Sequence, residues 1–446
     1  MPAAKSSDIV MKIQSRLGSF DLTMIVISLV IGVGIFKTPA LVAEKAGTPF
    51  VFYLAWVAGS LISICGALTF AEIGARMPEA GGFYRIFSQC YHPSIAFVIN
   101  WAQLIALAGS AAAISLIGAE YIRPIIMPID MQTEAASRGI ALTVMTVLFV
   151  VNYLGIKTSS RVQNVLSLLK ISMILLFCFA VFGTSSAPAH PTAVIQPQHN
   201  ILTSLGLALI PVFYTWNGYQ YTVNFGADVK HPQRNIPRAI FFSMGIVLIL
   251  YIAINIAYCR VLGFDNLKGS ELIAAKLGSQ FFGDAGFKIT SLVIFVSVIG
   301  YVNTSLLSNP RVYYAMAEDD ILPPIFKKLN KKTQVQEFAL TFFFGLVALL
   351  LVFMDSFEKL LSDITFIHCL ALMFGAATVF VLRSRMKGKG YSGFQVFPSV
   401  LVPVAFILFL LFVCTSVFIA EPIVALIGLG TCILGFPLYY GIKKLY

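Results

Sequence analysis

The chain reads as apolar blocks of membrane length separated by short polar joints. Twelve blocks lie at residues 20-43, 49-76, 93-122, 139-155, 162-184, 201-227, 236-262, 286-314, 338-355, 360-382, 397-420 and 422-442. A hydrocarbon core about 30 Å thick takes about 20 residues of helix to cross, so each block predicts one membrane-crossing helix. Two of the blocks are interrupted. In the first, residues 31-39 (IGVGIFKTP) place two glycines and a proline at mid-membrane depth, where they weaken helix. The sixth carries PVFYTWNGYQ at residues 211-220. A glycine pair alone is explained equally well by close helix packing. Two breaks five helices apart say more, because an odd number of helices inserts the next repeat upside down. Interrupted segments at matching places in two such halves point to a binding site.

An unwound stretch exposes backbone N–H and C=O groups that hydrocarbon cannot satisfy, and a polar ligand can. N–H groups at a half-helix start attract a carboxylate, and C=O groups at a half-helix end attract an ammonium. An α-amino acid carries both charges on one carbon, so paired breaks point to that class of solute.

Composition removes the main alternatives. Of 446 residues, 58% are hydrophobic and 11% charged, against about 45–50% and about 25% in soluble domains, which excludes a soluble globule. The net charge of +11 would also suit nucleic acid, but its distribution follows the positive-inside rule. Twenty-one Lys and Arg fall in the tail and the joints on its side, and eight fall on the other side. Both termini are therefore expected in the cytoplasm. Residues 1-18, with Lys5, Lys12 and Arg16 but no apolar core or cleavage site, read as a cytoplasmic tail and not a signal peptide. Seven cysteines and five histidines are scattered without ligand spacing, so neither a metal nor a cofactor is expected. No H-E-x-x-H, G-x-S-x-G or intramembrane Asp pair occurs, which speaks against an enzyme. The expected fold is an all-α polytopic membrane protein without a soluble domain.

Longer motifs carry a resemblance. The first-block run IGVGIFKTP followed by EIGARMPEAGGFYRIF (residues 72-87) resembles the amino acid-polyamine-organocation transporter superfamily. RVQNVLSLLK (161-170), VKHPQRNIPRAI (229-240) and VNTSLLSNPRVYYAMAEDDILP (302-323) resemble the L-type amino acid transporters and their bacterial relatives. The resemblance implies a five-plus-five inverted repeat, residues 20-184 and 201-383, with discontinuous first and sixth helices and two peripheral helices in 397-446. Substrate would lie between the first, third, sixth, eighth and tenth helices.

By the same resemblance, Ile31, Gly32, Val33, Gly34 and Ile35 frame a carboxylate site, with Val33 where a polar residue is usual. Tyr214 takes the place of an aromatic gate. Trp216, Asn217 and Gly218 form the second break, followed by Tyr219 where the family has tryptophan. Lys170 takes the position that sodium holds in related sodium-driven carriers, near carbonyls of the first helix and hydroxyls of the eighth, which implies no sodium dependence. A mid-span lysine costs about 2.5–3.5 kcal/mol on insertion scales, so something must offset it, and snorkelling to the interface is the plain alternative. Asn303 is read either as a pocket residue or as an interhelical hydrogen-bond group. Lys37 is read as snorkelling or lining an external vestibule. Glu72 and Asp228, beside Arg76 and Lys230, suggest cytoplasmic gate pairs, whereas residues 318-320 beside 327-332 read as a wet loop.

These readings converge on a sodium-independent exchanger or facilitator of neutral L-amino acids in the plasma (inner) membrane, working by alternating access. A proton-coupled symporter using Lys170 and a non-transporting amino acid receptor on the same fold are the alternatives. The external loop at residues 123-138 has no cysteine, so a disulfide-linked heavy chain is not expected, and a monomer is.

Overall fold

A computed structural model describes residues 15–79, 81–180, 200–268, 273–353, 357–388, 390–420 and 422–445. Most of the predicted tail, with Lys5 and Lys12, lies outside the described residues. The helices in chain order are α1 (Ser19–Val30), α2 (Gly34–Ala46), α3 (Pro49–Arg76), α4 (Gly82–Cys90), α5 (Pro93–Ile126), α6 (Glu134–Tyr153), α7 (Ile156–Ala180), α8 (Ile201–Thr215), α9 (Pro232–Leu262), α10 (Phe264–Leu267), α11 (Ile273–Phe282), α12 (Asp284–Glu318), α13 (Glu337–Phe353), α14 (Phe357–Met386), α15 (Leu401–Ala420) and α16 (Pro422–Leu445). Among the described residues, ten helical segments are long and apolar enough to cross a bilayer, and the bent pair α1–α2 makes an eleventh. The apolar α13, where a further span was expected, has 17 residues.

Local chemistry sets the helix starts. Thr48 accepts from the Val51 N–H at 3.4 Å ahead of Pro49, Thr133 from Ala136 at 3.2 Å and Asn200 from Thr203 at 2.9 Å. Each satisfies a backbone donor that a helix start leaves orphaned. Large apolar side chains on outward faces, such as Phe241, Phe242 and Ile249 of α9, stay exposed, as lipid contact requires. Inside, α1 packs on α9 and α7, α2 on α8, and α12 on α5, α6 and α7. Gly118 of α5 leaves room for Val298 of α12, the small-residue contact that lets membrane helices approach closely.

Three elements depart from the expected spans. The helix α4 is amphipathic, burying Phe83, Tyr84, Ile86 and Phe87 against α5 and α14. It crosses nothing, so an apolar-length criterion passes over it. Short helices α10 and α11 fill the expected joint between the seventh and eighth blocks.

Ion pairs join helices at the basic end of the bundle. Backbone N–H groups of Arg16 and Leu17 donate to the Asp228 carbonyl at 2.7 and 2.8 Å, and Lys230 N–H returns a bond to Leu17 at 2.9 Å. The Asp228 carboxylate pairs with Arg311 at 2.5 Å, not with the neighbouring Lys230 expected from sequence. Glu72 is fully buried and accepts from Arg76 at 2.7 Å, from Arg383 at 2.6 Å and from the Val396 N–H at 2.9 Å. Such a carboxylate tolerates burial because its lone pairs are occupied. Glu318 and Asp319 are no wet loop: both pair with Arg85 of α4, Glu318 at 2.7 Å, and Asp319 also accepts from Tyr84 at 2.8 Å. The sequence places Arg85 more than 230 residues away, which hid the pairing.

Candidate functional site at the paired helix breaks

Helix α1 ends at Val30, α2 begins at Gly34, and their axes differ by 43°. Between them Ile31, Gly32 and Val33 have left the helical path. The Ile31 N–H still reaches Ile27 O at 2.7 Å, and Gly32 N–H turns back to Val30 O at 2.9 Å. The first N–H groups of α2 point out of its start, as at any helix N-terminus. Gly32, Val33 and Gly34 are half-buried, and a Cβ on Gly32 would meet nothing within 4 Å. Open space thus lies beside the first break. Ile35 is fully buried.

The second break begins later than the sequence suggests. Helix α8 persists through Tyr214 to Thr215, and Trp216 and Asn217 close a last turn. Gly218 then takes φ +131°, a conformation that L side chains rarely adopt, and 3₁₀ turns run on over Tyr219–Asn224 and Gly226–Asp228. The two breaks interlock. A Cβ on Gly218 would collide with the Leu29 carbonyl, and one on Gly34 would lie 3.1 Å from Thr215 Cγ2.

Two side chains tie this junction from behind. Lys170 Nζ, fully buried on α7, donates to Ile31 O at 2.8 Å, to Ser28 Oγ at 2.9 Å and to Ser28 O at 3.4 Å. It does not snorkel. The eighth-helix hydroxyls expected beside it are replaced by Gly300, where a Cβ would sit 2.8 Å from Nζ and 2.6 Å from Ser28 Oγ. The helix α12 therefore supplies room for the ammonium. Tyr251 of α9 donates its hydroxyl toward Val30 O at 3.0 Å and Thr215 O at 3.2 Å, one oxygen at the end of each broken half-helix.

These bonds revise the expected ligand set. The Ile31 carbonyl belongs to Lys170. Trp216 is fully buried and packs edge-on to Tyr251 with ring centroids 5.1 Å apart, so its role is in the wall. Asn303 is likewise withdrawn: its Oδ1 accepts from Asn152 at 2.8 Å and its Nδ2 donates to Gln163 at 2.7 Å. It joins α6, α7 and α12 by interhelical hydrogen bonds, the second of the two roles weighed for it. Tyr214 and Asn217 are half-buried at the second break, and Lys37 is exposed on α2.

Sequence reasoning passed over four contributors: Tyr251, Gly300, Gln220 and His368. Gln220 Oε1 accepts the Gly218 N–H at 2.9 Å, and its Nε2 lies 3.0 Å from Asn217 Oδ1 and 3.1 Å from His368 Nε2. His368 of α14 also meets Tyr221 Oη at 3.3 Å and Gln103 Nε2 at 3.4 Å. A polar side chain inside an apolar block was the available signal. Histidines were weighed only as clustered metal ligands, so His368 was missed.

Comparison with known proteins agrees with this architecture. Residues 17–430 match the family described as Amino acid permease. The chain is 28% identical over 430 residues to the serine/threonine exchanger SteT of Bacillus subtilis, covering 95% of this chain and 96% of that protein. It is 26% identical over 445 residues to the large neutral amino acids transporter small subunit 2 of Homo sapiens, covering 98% and 82%. It is 25% identical over 434 residues to the Asc-type amino acid transporter 1 of Mus musculus, covering 96% and 81%. An interrupted first helix locked to an interrupted sixth, in a chain matched almost end to end, places this protein in the amino acid permease family of multi-pass membrane transporters, and not among enzymes.

Proposed function

We propose that this chain carries neutral L-amino acids across the plasma membrane by sodium-independent exchange. The observation that supports this most is the interlock of Gly218 with Leu29 and of Gly34 with Thr215, with Lys170 holding Ile31 from behind. The N–H groups at the start of α2, at Gly34 and Ile35 with Gly32 and Val33 beside them, take the substrate carboxylate. Backbone carbonyls near the end of α8, beside Tyr214, Asn217 and Gly218, face the substrate ammonium. Tyr214 covers the site as an aromatic gate.

The fixed ammonium of Lys170 does what a bound cation would do for a broken helix: it satisfies carbonyls that hydrocarbon cannot. No sodium is then needed to organise the break. Small or medium neutral side chains suit a site whose polar groups are main-chain amides, phenols and carboxamides. The names of the relatives, a serine/threonine exchanger and large neutral amino acid transporters, support that range.

In this reading α13 and the segment around α1–α2 complete twelve spans, in two inverted five-helix halves at residues 20–184 and 201–383 with a peripheral pair at 397–446. Both termini lie in the cytoplasm, where the basic end belongs. The ion pairs of Arg85, Arg311 and Glu72 close that end in alternating access. The chain works as a monomer without a disulfide-linked heavy chain, since residues 123–138 lack a cysteine.

Counterflow in sodium-free proteoliposomes tests the proposal. Vesicles loaded with unlabelled L-serine, L-threonine, L-alanine or L-leucine are expected to accumulate the same labelled amino acid. Saturable binding without accumulation would favour a receptor, and accumulation only with sodium would overturn the role given to Lys170.

A further inference from the structure

Beside the second break, hydrogen-bond directions determine the protonation of a histidine that the transport mechanism above does not use. A backbone N–H can only donate, so the bond from Gly218 N at 2.9 Å identifies the nearer Gln220 atom as its oxygen. The other atom is then an NH₂ group, and both its protons have acceptors to find. One goes to Asn217 Oδ1 at 3.0 Å and the other to His368 Nε2 at 3.1 Å. His368 Nε2 must therefore be a bare lone pair. In a neutral imidazole the proton then sits on Nδ1, which faces Tyr221 Oη at 3.3 Å and the Gln103 carboxamide at 3.4 Å. Gln103 Oε1 is buried without a partner as placed. Turning that carboxamide over would let its oxygen accept the Nδ1 proton, a choice that the hydrogen-bond network alone decides.

The chain of constraints runs from α5 through α14 to the backbone of the second break. Gln103, His368 and Gln220 are at least nine-tenths buried, so water does not substitute freely for a lost partner. If Nε2 gained a proton, two donors would face each other across 3.1 Å. Gln220 could answer only by turning its oxygen toward the imidazolium, and the Gly218 N–H would lose its acceptor. The titratable groups facing His368 are the phenol of Tyr221, with Tyr214 and Tyr301 behind it, and Cys369 on its own helix. Among the described residues no carboxylate or ammonium exerts a charge on it.

We propose that neutral His368 is a positioning residue: its bare Nε2 orients Gln220, and Gln220 holds the Gly218 amide so that the second break keeps the shape the substrate meets. The inference rests on the carrier reading and adds to it a group that touches no substrate. Gln220 acts as an internal stand-in for a ligand at the Gly218 N–H.

The experiment is counterflow with whichever of labelled L-serine, L-threonine, L-alanine or L-leucine the wild type exchanges, read as KM and maximal rate. His368→Ala removes the acceptor and is expected to raise KM roughly tenfold, an effect of the size that losing such preorganisation gives. His368→Gln supplies an acceptor oxygen near the Nε2 position and is expected to hold KM within roughly threefold of wild type. An unchanged KM in His368→Ala, or a KM in His368→Gln as high as in His368→Ala, would each overturn the proposal. Absence of exchange in the wild type would instead strike the carrier reading, so the two failures are distinguishable.

Discussion

At the first break the chain leaves helix after Val30 and re-enters it at Gly34; at the second it leaves after Thr215 and does not regain α-helix until Pro232. The first is short and its carbonyls are engaged, Ile31 O by Lys170 and Val30 O by Tyr251. Open space lies beside Gly32, next to the start of α2. The second is long, continues in 3₁₀ turns, and has its Gly218 N–H capped from within by Gln220. A lysine supports one break and a network of carboxamides and imidazole supports the other. In the carrier reading proposed above, the two breaks divide the work: the braced one offers donors to an anion, and the capped one supplies shape and a gate.

The most severe way to break this comparison is to part the two segments. Gly218→Ala combines a backbone at φ +131° with a collision against the Leu29 carbonyl. Counterflow should be abolished, and less folded protein should be recovered by size-exclusion chromatography. Removing the brace comes next. In Lys170→Ala the Ile31 carbonyl and Ser28 Oγ lose a buried charged donor, and leaving such groups unpaired costs about 1–3 kcal/mol. Exchange should fall roughly tenfold or more, a factor that about 1.4 kcal/mol sets, and added sodium should not restore it.

Smaller changes sharpen the comparison. Tyr251→Phe removes one hydroxyl that bridges Val30 O and Thr215 O while keeping the ring against Trp216. A loss of about 1 kcal/mol is expected, seen as a lower melting temperature and a several-fold slower exchange. Val33→Ser restores a hydroxyl at the half-buried first break, where the related motif is polar. Its effect should be the smallest, a KM lowered by roughly twofold to fivefold, in line with one added neutral hydrogen bond, with the maximal rate little changed.

The breaks were legible in the sequence because glycines interrupt an apolar block visibly, although Pro39 and Pro211 stay inside α2 and α8, and Lys170 was legible because a lone charge in such a block demands a partner. Their partners were not. Gly300 meets Lys170 from 130 positions away in the chain and carries no side chain to announce itself. Tyr251 and His368 sit in α9 and α14 among residues that satisfy the same hydropathy pattern. Asn303 carried two readings, a pocket residue or an interhelical hydrogen-bond group. Its depth and helix suggested the pocket, yet which way it turns depends on Asn152 and Gln163 across two interfaces. The ends of the bundle followed the same logic. Charges adjacent in sequence, such as Asp228 and Lys230, were paired by proximity, whereas the fold pairs Asp228 with Arg311 of α12. Helix α4 was hidden because a short amphipathic helix does not register as a membrane-length block.

The central claim is that main-chain N–H groups of the first break hold a substrate carboxylate, and competition against counterflow tests it most directly. Labelled L-serine, L-threonine, L-alanine or L-leucine exchange is measured with an excess of the same unlabelled amino acid, or of the amino alcohol in which its carboxylate is reduced to a hydroxymethyl group. The account predicts that the amino acid competes fully and the amino alcohol hardly at all, with or without sodium. Equal competition by the two compounds would contradict it.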